Sequence, residues 1–163
     1  MKKTVLILIS VLIVVFGVLA IFGSKSENAA ERLLYRTMKD YQKIVRNPDV
    51  APPKMLAGVE NSLQKIIEKY PQGKAAKIAQ VKLAEFFLIN KKYDQALAAL
   101  DEIIIKYGED AAMADKAQFL QAVVYERQNQ REKAIEIYLN LKKRTTHPKL
   151  IEMLEAKIAA LEK

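Results

Sequence analysis

The chain has 163 residues, with 27 Lys and Arg against 19 Asp and Glu, a formal net charge of +8, one His, five Gly, five Pro and no Cys or Trp. That length holds one modest domain, or one domain plus an appended segment. Without cysteine there is no disulfide framework, thiolate catalysis, cysteine-ligated zinc, iron–sulfur cluster or covalent c-type haem, and one histidine does not make the usual two-histidine metal site. Few glycines and the absence of GxGxxG and GxxxxGK[ST] leave no phosphate-cradling loop. The composition therefore predicts a non-enzymatic protein with no cofactor, no metal and no small-molecule substrate.

The first 23 residues differ in kind from the rest. Met1-Lys2-Lys3 precedes a charge-free stretch from Thr4 to Ser24. Residues 4–22, helical at ~1.5 Å per residue, would reach about 28 Å, close to the roughly 30 Å hydrocarbon core of a bilayer. A cleaved signal peptide is the competing reading, given the basic start. Against it, the apolar run exceeds a usual h-region, Ile21 and Phe22 interrupt any A-x-A-like site, and no Cys follows for lipoprotein processing. The expectation is an uncleaved transmembrane anchor over residues 1–23. Its basic N-terminus stays in the cytoplasm under the positive-inside bias, although Lys25, Arg32, Arg36 and Lys39 on the other flank oppose it. The bulk of the chain would then lie outside the cytoplasm, and in the periplasm of a bacterium with two membranes.

Beyond the anchor, residues 24–163 retain 25 Lys and Arg against 19 Asp and Glu, mostly interleaved as in Glu132-Lys133. Without a basic stripe set among stacking aromatics, nucleic acid is not an expected partner. Apolar residues recur at helical spacing throughout, and no window alternates with period two. The spacing predicts helices at 26–46, 54–70, 73–90, 93–107, 110–128, 131–145 and 148–162. Breakers fall between them: Asn47-Pro48-Asp49-Val50-Ala51-Pro52-Pro53, Pro71 with Gly73, Gly108, and Thr145-Thr146-His147-Pro148.

These helices repeat in pairs. Leu83-Ala84-x-x-Phe87 matches Gln121-Ala122-x-x-Tyr125 at an offset of 38, which also carries Ala79 onto Ala117, Ala96 onto Ala134, Leu100 onto Tyr138 and Ile103 onto Leu141. An earlier junction, Ile66 to Pro71, aligns with Ile103 to Gly108 at an offset of 37. Small residues recurring where helices approach, and large ones where grooves need filling, are the pattern of stacked helix–turn–helix units.

Ala84, Phe87, Ala96 and Leu100 resemble the signature of a tetratricopeptide repeat over residues 77–110. Tyr93-Asp94-Gln95-Ala96-Leu97 is similar to the opening of that repeat's second helix, and Arg131-Glu132-Lys133-Ala134-Ile135 is its counterpart in a repeat over 115–148. The offset exceeds the ~34-residue period of the family, so about four extra residues lengthen the helices or the junction near Tyr107–Ala111. Gln80 and Gln118 stand where the family usually has a bulky residue. Residues 26–70 resemble a degenerate first pair, and 148–162 a capping helix. The resemblance implies an all-α fold, a short α-solenoid over residues 24–163 behind the anchor. Anchor and domain together also resemble the ancillary subunit of the bacterial Sec translocon, with similar junctions in periplasmic repeat proteins of the Tol–Pal system and of outer-membrane protein assembly.

Carried over from the family, the concave face is lined by Ile78, Val81, Glu85, Leu88 and Ile89 in one repeat and Lys116, Phe119, Val123, Glu126 and Arg127 in the next. Apolar and charged residues mixed in this way suit docking of a protein segment, with Phe119 as apolar anchor and Arg127 or Lys116 orienting it. A competing reading packs the apolar members against neighbouring helices. His147 reads as an exposed loop residue rather than a pH switch or ligand, Glu85 and Glu126 as solvated groove residues rather than an acid–base pair, and the methionines as core fillers. The functional expectation is a membrane-anchored scaffold or adaptor for protein partners. A holdase for secreted chains and a structural subunit of a larger membrane complex are the alternatives.

Overall fold

The structure is a computed structural model that describes residues 26–163. The described residues are all helical, with no strand. Helix α1 covers 26–46, and a short 3-10 turn, Pro48–Val50, leads to α2, Pro53–Lys69. Then follow α3 (Lys74–Ile89), α4 (Tyr93–Tyr107), α5 (Ala111–Arg127), α6 (Arg131–Arg144) and α7 (Pro148–Leu161). Among the described residues no helix is long and apolar enough to cross a membrane, and the anchor expected over residues 4–22 lies outside them.

Local chemistry sets the ends. Pro53 and Pro148 occupy first-turn positions, where a missing N–H costs nothing. Asp110 caps α5 by accepting from the Met113 amide at 3.3 Å, and Lys77 of α3 reaches the same carboxylate at 3.1 Å. The Lys77 bond, then the Met113 amide, hold the Asp110 carboxyl below its usual value. The turns α3–α4 and α5–α6 share one geometry. Lys91 (φ 60°) and Asn129 (φ 59°) are left-handed. Lys92 N–H donates to Phe87 O at 2.8 Å and Gln130 N–H to Tyr125 O at 2.9 Å, while Lys91 and Asn129 donate to Leu88 O and Glu126 O. That pairing is a Schellman closure, ordinarily built on glycine.

From α2 to α7 each helix packs on its successor, and α3 also touches α5. The first helices α1, α3, α5 and α7 form one layer and α2, α4 and α6 the other. Five of the residue pairs matched at the 38-residue offset land inside: Ala79 and Ala117, Ala84 and Ala122, Ala96 and Ala134, Leu100 and Tyr138, Ile103 and Leu141 are all buried, while Gln121 and Tyr125, the counterparts of Leu83 and Phe87, are half-buried. Ala30, Tyr41 and Ile44 place α1 in the same core as α2–α5, while Ala122, Ala134, Tyr138, Leu141, Leu154 and Ile158 form a second cluster closed by α7. The extra residues relative to the family period lie in helices of 14–17 residues joined by short connections. Gln80, at the position expected to be bulky, is buried, and its counterpart Gln118 accepts from Arg144 Nη2 at 2.6 Å.

Candidate functional site: the first-helix face

The residues expected to line a groove divide into three groups. Ile78 is open, 47% exposed on α3, and Lys116 and Arg127 are exposed on α5. Glu85, Leu88, Ile89, Phe119, Val123 and Glu126 are half-buried. Val81 is only 5% exposed and belongs to the core, so it can form the floor but not an open wall. Phe119 leans on Tyr138, with ring centroids 5.6 Å apart at 48°, which ties much of its surface to α6.

Two carboxylates organise this face. Glu85 accepts from the Tyr41 hydroxyl of α1 at 3.1 Å and from Lys82 Nζ at 2.6 Å, and it pairs with Lys116 Nζ of α5 at 3.7 Å. Three successive first helices thus meet at one side chain, and of the expected site residues Glu85 and Lys116 are brought into direct contact. Glu126 accepts from the Tyr138 hydroxyl at 2.8 Å and from Lys157 Nζ of α7 at 2.9 Å, joining α5 to α6 and α7. Burial, then the Glu85 charge and hydrogen bond, push the Tyr41 phenol well above its usual range; burial, then the Glu126 bond and charge, do the same for Tyr138. Neither glutamate has an unengaged base's geometry, and they sit in separate clusters. These are braces between repeats.

Tyr41, Lys82 and Lys157 were not singled out by the sequence. Tyr41 and Lys157 reach their glutamates from helices far apart in the chain, where helical periodicity carries no signal, while Lys82 pairs with Glu85 three residues along α3. Lys82 also stands over the Tyr41 ring, 5.4 Å from its centroid. His147 is exposed in the α6–α7 connection, its amide bonded to Thr145 Oγ1 at 3.2 Å. Among the described residues no group of three or more His, Asp or Glu is placed to hold a metal ion. With the cations at 82, 116 and 157 engaged by carboxylates, Arg127 makes no ion pair among the described residues. The face can therefore offer apolar contact around Ile78, Ile89, Phe119 and Val123, and one uncommitted guanidinium.

Paired helices in two layers, with alanines at the close approaches and large residues between them, define a helical-repeat solenoid. Residues 50–163 match the family described as a tetratricopeptide repeat-like domain, and the chain belongs to that family. No curated protein and no solved structure matches the chain.

Proposed function

We propose that the protein is a membrane-anchored adaptor that presents its first-helix face to a protein partner outside the cytoplasm. The repeat-like domain supports a protein-interaction module. The observation that carries the docking site is the pairing pattern on that face: Lys82, Lys116 and Lys157 are neutralised internally, while Ile78 stays open and Arg127 stays unpaired. Such a surface suits an apolar segment bearing one acidic group, held by apolar burial and oriented by a charge-assisted hydrogen bond. Residues 4–22 serve as the anchor, and confinement to the membrane plane raises the effective concentration of the face near membrane-bound partners. The likeness of the whole arrangement to the ancillary Sec-translocon subunit supports a partner in an envelope complex. The domain acts by tethering rather than catalysis.

Two experiments test this reading. The chain should resist alkaline carbonate extraction, and protease should reach residues beyond 25 only from the extracytoplasmic side; an extractable chain, or one cut only from the cytoplasm, refutes the anchoring. For the site, Ile78→Ser with Arg127→Ala is cleaner than truncating Phe119, because Phe119 also packs on Tyr138. This double variant should fold normally and lose its stoichiometric crosslinked partner. A folded variant that keeps the partner refutes the site, and a spread of many weak clients in place of one partner favours the holdase.

A further inference from the structure

The second-helix layer carries a cleft that this function does not use. Between α2 and α4 lies a hollow of about 400 Å³, floored by Leu83 and Phe87 of α3 and walled by Ile67, Ala98 and Ala99. Its rims bear Glu68 on α2 and Glu102 on α4, neither of which forms an ion pair among the described residues. The nearby Lys92 is held by Glu60 at 3.0 Å and does not neutralise them. The next repeat has a hollow of about 350 Å³ at the corresponding place, but its lining differs: Gln118, Gln121, Asn140, Lys143 and Arg144 make it polar and basic. There Ala98 and Ala99 become Glu136 and Ile137, and Leu83 becomes Gln121, whose amide is held by Asp101 at 2.7 Å. An apolar pit between two unpaired carboxylates, in a chain of net charge +8, calls for a cationic partner with an apolar centre.

The same molecule displays such a surface. On α1, the row opposite the buried Ala30, Thr37 and Ile44 consists of Arg32, Tyr35 and Lys39, all exposed. Tyr35 is 66% exposed, with Lys39 Nζ 4.9 Å from its ring centroid. Arg32 and Lys39 make no ion pair among the described residues, and Asp40 beside them is taken by Lys43 at 2.7 Å. Seven helical residues separate the two cations by about 10 Å along one face of α1.

We propose that a second copy of this chain docks here, its α1 laid in the α2–α4 cleft with Tyr35 over Ala98 and Ala99 and with Arg32 and Lys39 against Glu68 and Glu102. The contact joins two different faces, so it is heterologous: each open assembly keeps one free cleft and one free α1 face at its ends, and assemblies grow head to tail until they close. It uses neither the anchor nor the docking residues of α3 and α5.

Sedimentation of the full chain in mild non-ionic detergent tests it with a charge swap. The wild-type chain should show protein mass rising with concentration beyond a dimer, and added salt should weaken the association. Arg32→Glu/Lys39→Glu and Glu68→Lys/Glu102→Lys, each alone, should weaken self-association by at least about tenfold, because like charges then face each other. An equimolar mixture of the two variants should regain it, since both types of contact are complementary again. A wild-type chain that stays monomeric, association indifferent to both variants, or a mixture that fails to recover overturns the proposal. So does binding of the α1 row to vesicles containing phosphatidylglycerol, lost in Arg32→Glu/Lys39→Glu, without self-association in detergent.

Discussion

Ala96 is where the packing logic is most exposed to test. It lies in the first turns of α4 at 0% exposure, in the same buried cluster as Ala84, Phe87 and Leu100. Replacing it with Leu adds three carbon atoms where no space exists, and the helix cannot yield outward without separating α4 from α3. Overpacking of a filled interior typically costs about 1–3 kcal/mol. A position with no exposed surface, between two packed helices, belongs near 2–3 kcal/mol on that scale. For a domain of this size each kcal/mol moves the melting temperature by roughly 3–5 °C, so Ala96→Leu should lower it by roughly 6–15 °C. Far-UV circular dichroism of the full chain during heating reads this directly. Ala57→Leu, on the exposed side of α2, is the control and should stay within about 0.5 kcal/mol of wild type. Equal melting for the Ala96 variant and the control would refute the close approach of α3 and α4 at Ala96.

Three further outcomes follow from local geometry. Lys91→Gly should stabilise the chain by up to about 1 kcal/mol in urea titration, because a left-handed residue with a side chain gives way to one without it; a loss would mean that the Schellman turn is wrong. Gly108→Ala should destabilise, since an added Cβ would lie 2.8 Å from the Ile104 carbonyl oxygen, and unchanged thermal melting would contradict that contact. Tyr41 and Tyr138 have phenols raised above their unfolded value near 10, so the folded state keeps protons that the unfolded state releases. Their contribution is full below pH 10 and falls above it, by up to about 1.4 kcal/mol per tyrosine per pH unit. The urea midpoint should therefore drop between pH 9 and pH 11, and drop less in Tyr41→Phe/Tyr138→Phe; identical slopes would remove these phenols from the account.

Much of the fold was legible because its determinants are local. Proline and glycine mark the junctions, and the observed helices begin and end within one residue of the limits read from periodicity. The repeated alanines announced their contacts because a small residue recurring at one offset has few other uses. The two left-handed turns were not legible: Lys91 and Asn129 stand where glycine would have signalled them, and the fold holds them there through paired amide–carbonyl bonds. The first-helix face was legible as a position but not as chemistry. Family spacing located Glu85 and Glu126, yet their partners Tyr41, Lys116 and Lys157 come from other helices, and only packing brings them together. Val81 stands at a groove position that the neighbouring helices bury, which family spacing alone does not reveal.

The central claim is that a protein partner docks on the first-helix face, and site-specific photocrosslinking in native membranes tests it most directly. A photoreactive residue placed singly at 78, 116 or 127 should capture one distinct partner band, identified by mass spectrometry. The same residue at exposed positions 133 or 136 of α6 should not capture it. Capture from α6 with none from α3 and α5 would contradict the account and move recognition to the other layer of the solenoid.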